Sequence, residues 1–142
     1  MGFDNARDCL GYRVVVKNVE RLGDHAVRLS QDVLDYKIPI QGKNFDRIQE
    51  MSSYAISVMD DACLALFKKD YDQAEKSIGS ANNIQKYEKR ILGNLKTSKD
   101  EEEIFRIRKI VENVKRVAEY ASDIGEIVLN MNIEKILKKP KM

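Results

Sequence analysis

Two pairs of carboxylates, each with its members four residues apart, are the side chains here whose type and spacing could do chemistry. Glu20 and Asp24 form one E-x-x-x-D motif, and Glu119 and Asp123 form the other. On a helix, residues i and i+4 lie on the same face, so each motif presents two acids side by side. Paired carboxylates suit hard cations such as Mg²⁺, Mn²⁺ or iron. Salt bridges to nearby basic side chains are the alternative, because this pattern is common in charged helices.

The two motifs belong to an internal repeat. A shift of 99 residues places the second motif on the first and Arg116 on Lys17. Lys17 and Arg28 flank the first pair of acids and Arg116 precedes the second, so each pair has candidate salt-bridge partners. Three arginines close to the motifs are candidate partner-binding residues: Arg21, Arg28 and Arg116.

Other kinds of site are poorly supported. His25 is the only histidine, and because it follows Asp24 it points ~100° away from the carboxylate face. It is better explained as a surface or boundary residue than as a ligand. One histidine and two cysteines, Cys9 and Cys63, are too few for a four-ligand zinc site or for a di-iron site with two Glu-x-x-His motifs. No nucleophile motif and no phosphate-binding glycine loop is present, so we expect a protein that is not an enzyme.

The elements that must position these acids are helices. The first is predicted at about 6–36, and residues 37–43, which contain Pro39 and Gly42, form a linker. Three further helices are predicted at about 45–69, 70–95 and 98–137, with N-caps at Asn44, Asp70 and Ser98. The sequence therefore predicts one all-α domain over 1–142, in which an antiparallel three-helix bundle at about 44–138 carries an additional long N-terminal helix.

The first helix has its own apolar stripe, with spacings of three and four residues after Val15. It must be buried against the bundle or against another chain. Its members are Leu10, Val15, Val19, Leu22, Ala26, Leu29 and Val33.

Composition excludes two classes of partner. The chain has 25 Lys+Arg and 23 Asp+Glu, a net charge of +2, which gives no general field for nucleic acid. Its longest apolar run is six residues, 62–67, far below the ~20 that a membrane-spanning helix needs. We therefore expect neither nucleic-acid binding nor direct insertion into a membrane.

The segment 18–28, N-V-E-R-L-G-D-H-A-V-R, resembles the E-R-I-G-D-H-A signature of the PhoU family of phosphate-uptake regulators. The segment 117–124 is similar to the second, more variable copy of that motif, and 58–74 is similar to the junction between the first two helices of a repeat. PhoU proteins carry two three-helix repeats. The resemblance implies that this chain matches the last helix of the first repeat and all of the second.

The resemblance also implies a function. It indicates a cytoplasmic regulator of phosphate uptake that contacts a phosphate transporter or its sensor, directly or through iron or another divalent metal on the carboxylates. The middle helix of a repeat would supply a second acidic pair, but Ala81 and Gln85 stand there, which weakens the metal-cluster interpretation. A metal-binding helical module and a purely structural oligomerising bundle are the alternatives. Because the first helix has few neighbours, a homodimer is the expected state.

Overall fold

The computed structural model describes residues 6–137, and within that range the side chains of all residues except 7, 132 and 134–136. Five helices follow one another: α1 (Ala6–Asp35), α2 (Gly42–Lys68), α3 (Tyr71–Asn82), α4 (Ile84–Leu95) and α5 (Glu101–Leu137). No strand is present in this part of the chain, so the predicted all-α class is confirmed. The predicted domain also includes 1–5 and 138–142, which lie outside the described residues.

Helices α2, α3 with α4, and α5 form an antiparallel bundle of three arms. Its core is built from aliphatic side chains at three- and four-residue spacings, so each helix buries one stripe. The largest of the side chains that are almost fully buried are Met51, Val58, Ile91, Ile107, Val111, Ile124 and Val128. None of the helices within 6–137 combines the length and apolar character that crossing a bilayer requires.

The middle arm was predicted as a single helix but is interrupted at Asn83. The Asn83 amide bonds to the Ser80 carbonyl and the Lys86 amide bonds to the Asn83 carbonyl, so i→i−3 bonds locally replace the α-helical pattern. The Tyr54 hydroxyl donates to the same Ser80 carbonyl at 2.8 Å, and the Tyr54 ring stacks on Tyr87 with centroids 4.7 Å apart. Helix α2 therefore holds both halves of the arm.

The structure confirms one of the three predicted helix N-caps. Asp70 caps α3 as predicted, since its Oδ1 accepts the Gln73 amide at 3.0 Å. The other two predicted caps are wrong: α2 begins after Gln41 rather than Asn44, and Asp100 rather than Ser98 accepts the Glu103 amide of α5 at 3.0 Å. An aspartate next to the helix start offers a better acceptor than a serine two residues earlier.

Helix α1 packs on α5 alone among the described helices. The side of α1 that faces α5 carries half-buried or buried residues, which are Val15, Asn18, Leu22, His25, Leu29 and Asp32. Only part of the predicted apolar stripe lies on this side. Leu10, Val19, Ala26 and Val33 are exposed instead, because α1 buries polar residues where the prediction had sought apolar ones.

The α1–α2 linker, residues 36–41, is held by one buried arginine. Arg106 of α5 is only 6% exposed. Its guanidinium donates to the Ile38 carbonyl and lies over the Tyr36 ring, with Cζ 3.9 Å from the ring centroid. A desolvated cation over an aromatic face is strongly stabilised, so this contact fixes the chain between α1 and the bundle.

Candidate functional site

Three polar layers join α1 to α5. Asn18, His25 and Asp32 are spaced seven residues apart on α1, which places them on one side of the helix, two turns apart. Each meets a polar side chain of α5, and the α5 partners run in the opposite direction along the chain, from 123 to 109. Leu22 and Leu29 lie between the layers. The interface therefore alternates apolar and polar contacts along an antiparallel helix pair.

The central layer is a hydrogen-bonded chain through His25. The His25 Nδ1 lies 2.9 Å from Asn113 Oδ1, and Nε2 lies 3.2 Å from the Tyr120 hydroxyl. Because the Asn113 amide nitrogen donates to the Lys109 carbonyl at 3.0 Å, its oxygen faces the ring. In the neutral ring this network assigns the proton to Nδ1 and makes Nε2 an acceptor from the tyrosine. His25 is half-buried, as expected for a boundary residue, and both ring nitrogens are occupied.

The two outer layers differ in strength. At one end, Asn18 is 2% exposed and its amide lies 3.4 Å from Asp123 Oδ2. At the other end, Lys109 Nζ lies 2.6 Å from Asp32 Oδ1, and this hydrogen bond raises the pKa of Lys109. The second carboxylate oxygen of Asp32 is buried and finds no partner among the described residues.

A cleft lies between α1 and α5 beside the last two layers and has a volume of about 330 Å³. Its cationic side chains are Arg28 from α1 and Lys109 and Arg116 from α5, against the acids Asp32 and Glu112. The structure thus brings together two of the three predicted partner-binding arginines, Arg28 and Arg116. The third, Arg21, does not line the cleft; it lies seven residues before Arg28 and therefore on the same edge of α1.

The cleft arginines differ in how they are paired. Arg116 contacts Glu119 at 3.1 Å and Glu112 at 3.7 Å, which confirms that a salt bridge reaches the second acidic motif. Arg28 is exposed and has no ion pair to any residue within 6–137. Arg28 is therefore the cation most available to an incoming anionic group.

The two carboxylate motifs are not brought together. Asp123 lies 3.4 Å from the Asn18 amide of α1, whereas Glu119 pairs with Arg116 of its own helix. Glu20 follows Asn18 by two residues, which turns it ~200° away from the side that faces α5, and Asp24 is likewise exposed. Within the described part of the chain, no group of three or more His, Cys, Asp or Glu residues could hold a metal ion.

The middle arm adds no acid to either pair. Ala81 packs in the core at 4% exposed, and Gln85 is exposed. The residues present therefore do not fit the multinuclear cluster that the family resemblance suggested.

Reasoning from the sequence missed the polar side of α1. A signal was available, because Asn18, His25 and Asp32 recur every seven residues in step with Val15, Leu22 and Leu29. A search for apolar stripes passes over such a pattern. The α5 partners Asn113 and Lys109 had no comparable signal, since nothing in their own segment distinguishes them from other polar residues of a charged helix.

Comparison with known families gives a match over most of the three-arm bundle. The family model of the PhoU domain matches residues 48–128, which covers α3 and α4 and most of α2 and α5. The α1 segment 18–28 lies outside this span. No curated protein and no solved structure matches the chain.

Proposed function

The chain belongs to the PhoU domain family, and on that premise we propose that it regulates phosphate uptake by binding a component of a phosphate transporter or its associated sensor. The family is a regulatory one connected with phosphate transport. Regulation of this kind needs a protein-docking surface rather than a catalytic centre, and the α1–α5 cleft is the surface that the geometry favours.

The observation that carries this proposal is the meeting of Arg28 and Arg116 at one cleft. A guanidinium offers a planar fork of N–H donors that matches a carboxylate, and Arg28 is not used by the described part of the chain. The partner segment proposed here is therefore acidic, with one carboxylate seated on Arg28 and a second close to Arg116. Asp32 and Glu112 also line the cleft. They would repel any further acidic side chain of the partner that has no arginine to pair with, which gives selectivity.

The test is a binding measurement with the double variant Arg28→Gln/Arg116→Gln. Loss of two charge-assisted hydrogen bonds, each worth about 1.5–3 kcal/mol, should weaken binding to the purified transporter component or sensor at least tenfold. Arg90→Gln is the matched control, because Arg90 is also exposed and paired with an acid, Glu50, but lies on the bundle away from the cleft. Equal affinity of the double variant and the control for the partner would refute the proposal.

We propose a divalent cation at Glu20 and Asp24 as a second candidate function. These two acids have no ion pair among residues 6–137, although like charges at this spacing repel, and a hard cation would offset that repulsion. No step of the docking proposal runs through such an ion. Metal content of the purified protein should fall in Glu20→Gln/Asp24→Asn and persist in Asp123→Asn; a metal-free wild-type protein would exclude this candidate.

We also propose that the protein is a homodimer. Helix α1 has one bundle helix as a neighbour and exposes several large aliphatic side chains, and surfaces of this kind usually find partners.

A further inference from the structure

About a quarter turn round α1 from the side that faces α5 lies a second apolar stripe, which we call the outer stripe. Its members recur at alternating spacings of three and four residues, as in a helix that packs along another helix. They are Val16, Val19, Gly23, Ala26, Ser30 and Val33. Val16, Val19 and Val33 are 65%, 55% and 52% exposed, so nothing in the described part of the chain covers the stripe.

The polar atoms and the glycine of the outer stripe also fit a contact with another helix. The Ser30 hydroxyl donates to the Ala26 carbonyl of its own helix at 2.8 Å, so it needs no hydrogen-bond acceptor from another chain. Gly23 lies in the middle of a 30-residue helix, where glycine costs about 1 kcal/mol relative to alanine. A Cβ built on Gly23 would meet no atom within 4 Å. Packing within residues 6–137 therefore gives no reason for a glycine there, whereas close approach of an external helix does.

We propose that the outer stripe is the interface of an antiparallel homodimer, in which α1 of one copy packs along α1 of the second. This inference rests on the homodimer proposed above and specifies its geometry. The two-fold axis would pass close to Arg21, so that residue i of one copy lies opposite residue 42−i of the other and the two 30-residue helices overlap over nearly their whole length.

The second copy is favoured as the occupant because the stripe is complementary to itself in this direction. Val16 and Val19 are bulky, whereas Gly23, Ala26 and Ser30, which follow them, are small. In the antiparallel register Val16 lies opposite Ala26 of the partner subunit, and Val19 lies opposite Gly23 of the partner subunit, so large side chains fill the space left by small ones. A parallel pair would set Gly23 against Gly23 of the partner subunit and leave a gap at the centre.

The area is near the lower limit for a specific interface. A 30-residue helix is ~45 Å long and ~10 Å wide, so contact along its length covers roughly 450 Å² on each copy. The total is close to the roughly 1,000 Å² that a specific interface needs. The flanking Val27 and Leu34, 57% and 83% exposed, extend this apolar area at its edge.

The antiparallel register also brings two like charges close together. Glu20 lies at the edge of the outer stripe, and its position brings it close to Glu20 of the partner subunit near the two-fold axis. A parallel pair would keep these two carboxylates on opposite edges of the interface. The charge of Glu20 therefore reports on the direction of pairing.

The first test is sedimentation velocity of the full chain over a range of concentrations. The wild type should dimerise, and Gly23→Gln should raise the dimer dissociation constant at least tenfold. Because space around Gly23 is open in the monomer, that variant should fold and its α1 should be no less helical. Lys17→Gln, on the same helix outside the outer stripe, should dimerise normally. A wild type that stays monomeric at the highest concentration, or a Gly23→Gln protein that dimerises normally, would overturn the proposal.

The second test fixes the direction and does not depend on Gly23. In the antiparallel register position 33 lies opposite Cys9 of the partner subunit, so mild oxidation of Val33→Cys should produce a disulfide-linked dimer. Gln31→Cys, which points away from the outer stripe, should not cross-link. Glu20→Gln should tighten the dimer. A Cys9–Cys9 cross-link in the wild type, or a Glu20→Gln dimer no tighter than the wild type, would indicate a parallel pair and refute the register.

These outcomes are separable from those of the docking proposal. Arg28→Gln/Arg116→Gln should lose the transporter or sensor and remain dimeric. Gly23→Gln should lose the dimer and still bind that partner through its own cleft.

Discussion

Helices α3 and α5 pack closely at Gly125. Replacing a helical glycine by alanine usually stabilises a protein, but at this position we expect it to lower the stability. Gly125 is buried in α5 against α3. A Cβ at this position would lie 2.8 Å from Ile78 Cγ1 and 3.1 Å from both the Ala74 carbonyl oxygen and Ser77 Oγ. The Ala74 carbonyl belongs to the α3 backbone, and Cγ1 of the branched Ile78 side chain lies close to that backbone, so neither can move aside at a low cost in free energy. Gly125→Ala must therefore push the two helices apart.

The magnitude follows from two opposing terms. Replacing glycine by alanine inside a helix stabilises it by about 1 kcal/mol, whereas one extra methyl in a tightly packed core costs about 1–3 kcal/mol. We take the upper part of that range because Ser77 is 2% exposed and its hydroxyl already donates to the Ala74 carbonyl at 2.8 Å. Gly125→Ala should therefore lower the free energy of unfolding by about 1–2 kcal/mol, which lowers Tm by roughly 3–8 °C.

The matched control is Gly79→Ala in α3, where an added Cβ meets no atom within 4 Å. The same chemical change there should raise the stability by about 0.5–1 kcal/mol. Thermal and urea unfolding followed by circular dichroism at pH 7 compares the two variants directly. If Gly125→Ala is as stable as Gly79→Ala, the close approach of α3 and α5 is not real and the reasoning fails.

Three further predictions follow from single contacts. Arg106→Leu removes the cation that holds the α1–α2 linker, so limited trypsin digestion should cut the linker several-fold faster than in the wild type; unchanged cleavage would deny that contact. The bond to Asp32 raises the pKa of Lys109, so its stabilising effect is fully present below the ordinary lysine value of 10.5 and is lost as the pH rises through the higher folded value. The Tm advantage of the wild type over Lys109→Gln should therefore be constant from pH 7 to 9 and shrink above pH ~11; an advantage that grows with pH would contradict this sign. Burial raises the pKa of the Cys63 thiol and half covers it, so iodoacetamide at pH 8 should label the exposed Cys9 first, as peptide mapping by mass spectrometry would show.

The three-arm bundle could be predicted from the sequence because its signals are local and mutually consistent. Along α5, Ile107, Ile110, Val114 and Ile124 recur at helical spacing, and all are buried. Asp70 is followed three residues later by Gln73, and the cap forms as that pattern predicts. The interruption at Asn83 could not be predicted, because it depends on a hydroxyl that Tyr54 supplies from another helix.

The orientation of α1 was beyond the same reasoning for a different physical cause. Its apolar residues cover a wide arc, of which Val15, Leu22 and Leu29 face α5, while Val19, Ala26 and Val33 lie on the exposed side. Periodicity shows which residues belong to the arc, but not which of them face α5 and which are exposed. That is decided by the pairing of buried polar groups with α5, which depends on residues about 75 to 105 positions away in the chain.

Among the described helices α1 packs on α5 alone, and α5 leaves the ribosome after α2, α3 and α4. Asn18 and the Asp123 side chain that it meets are 105 residues apart, so at 5–20 residues per second α1 waits roughly 5–20 s for the surface on which it docks. Helices α2, α3 and α4 emerge during that interval and can begin to pair with one another. Through this period α1 exposes both of its apolar sides, and it is the segment for which chaperones, or a neighbouring nascent copy on the same messenger RNA, would compete.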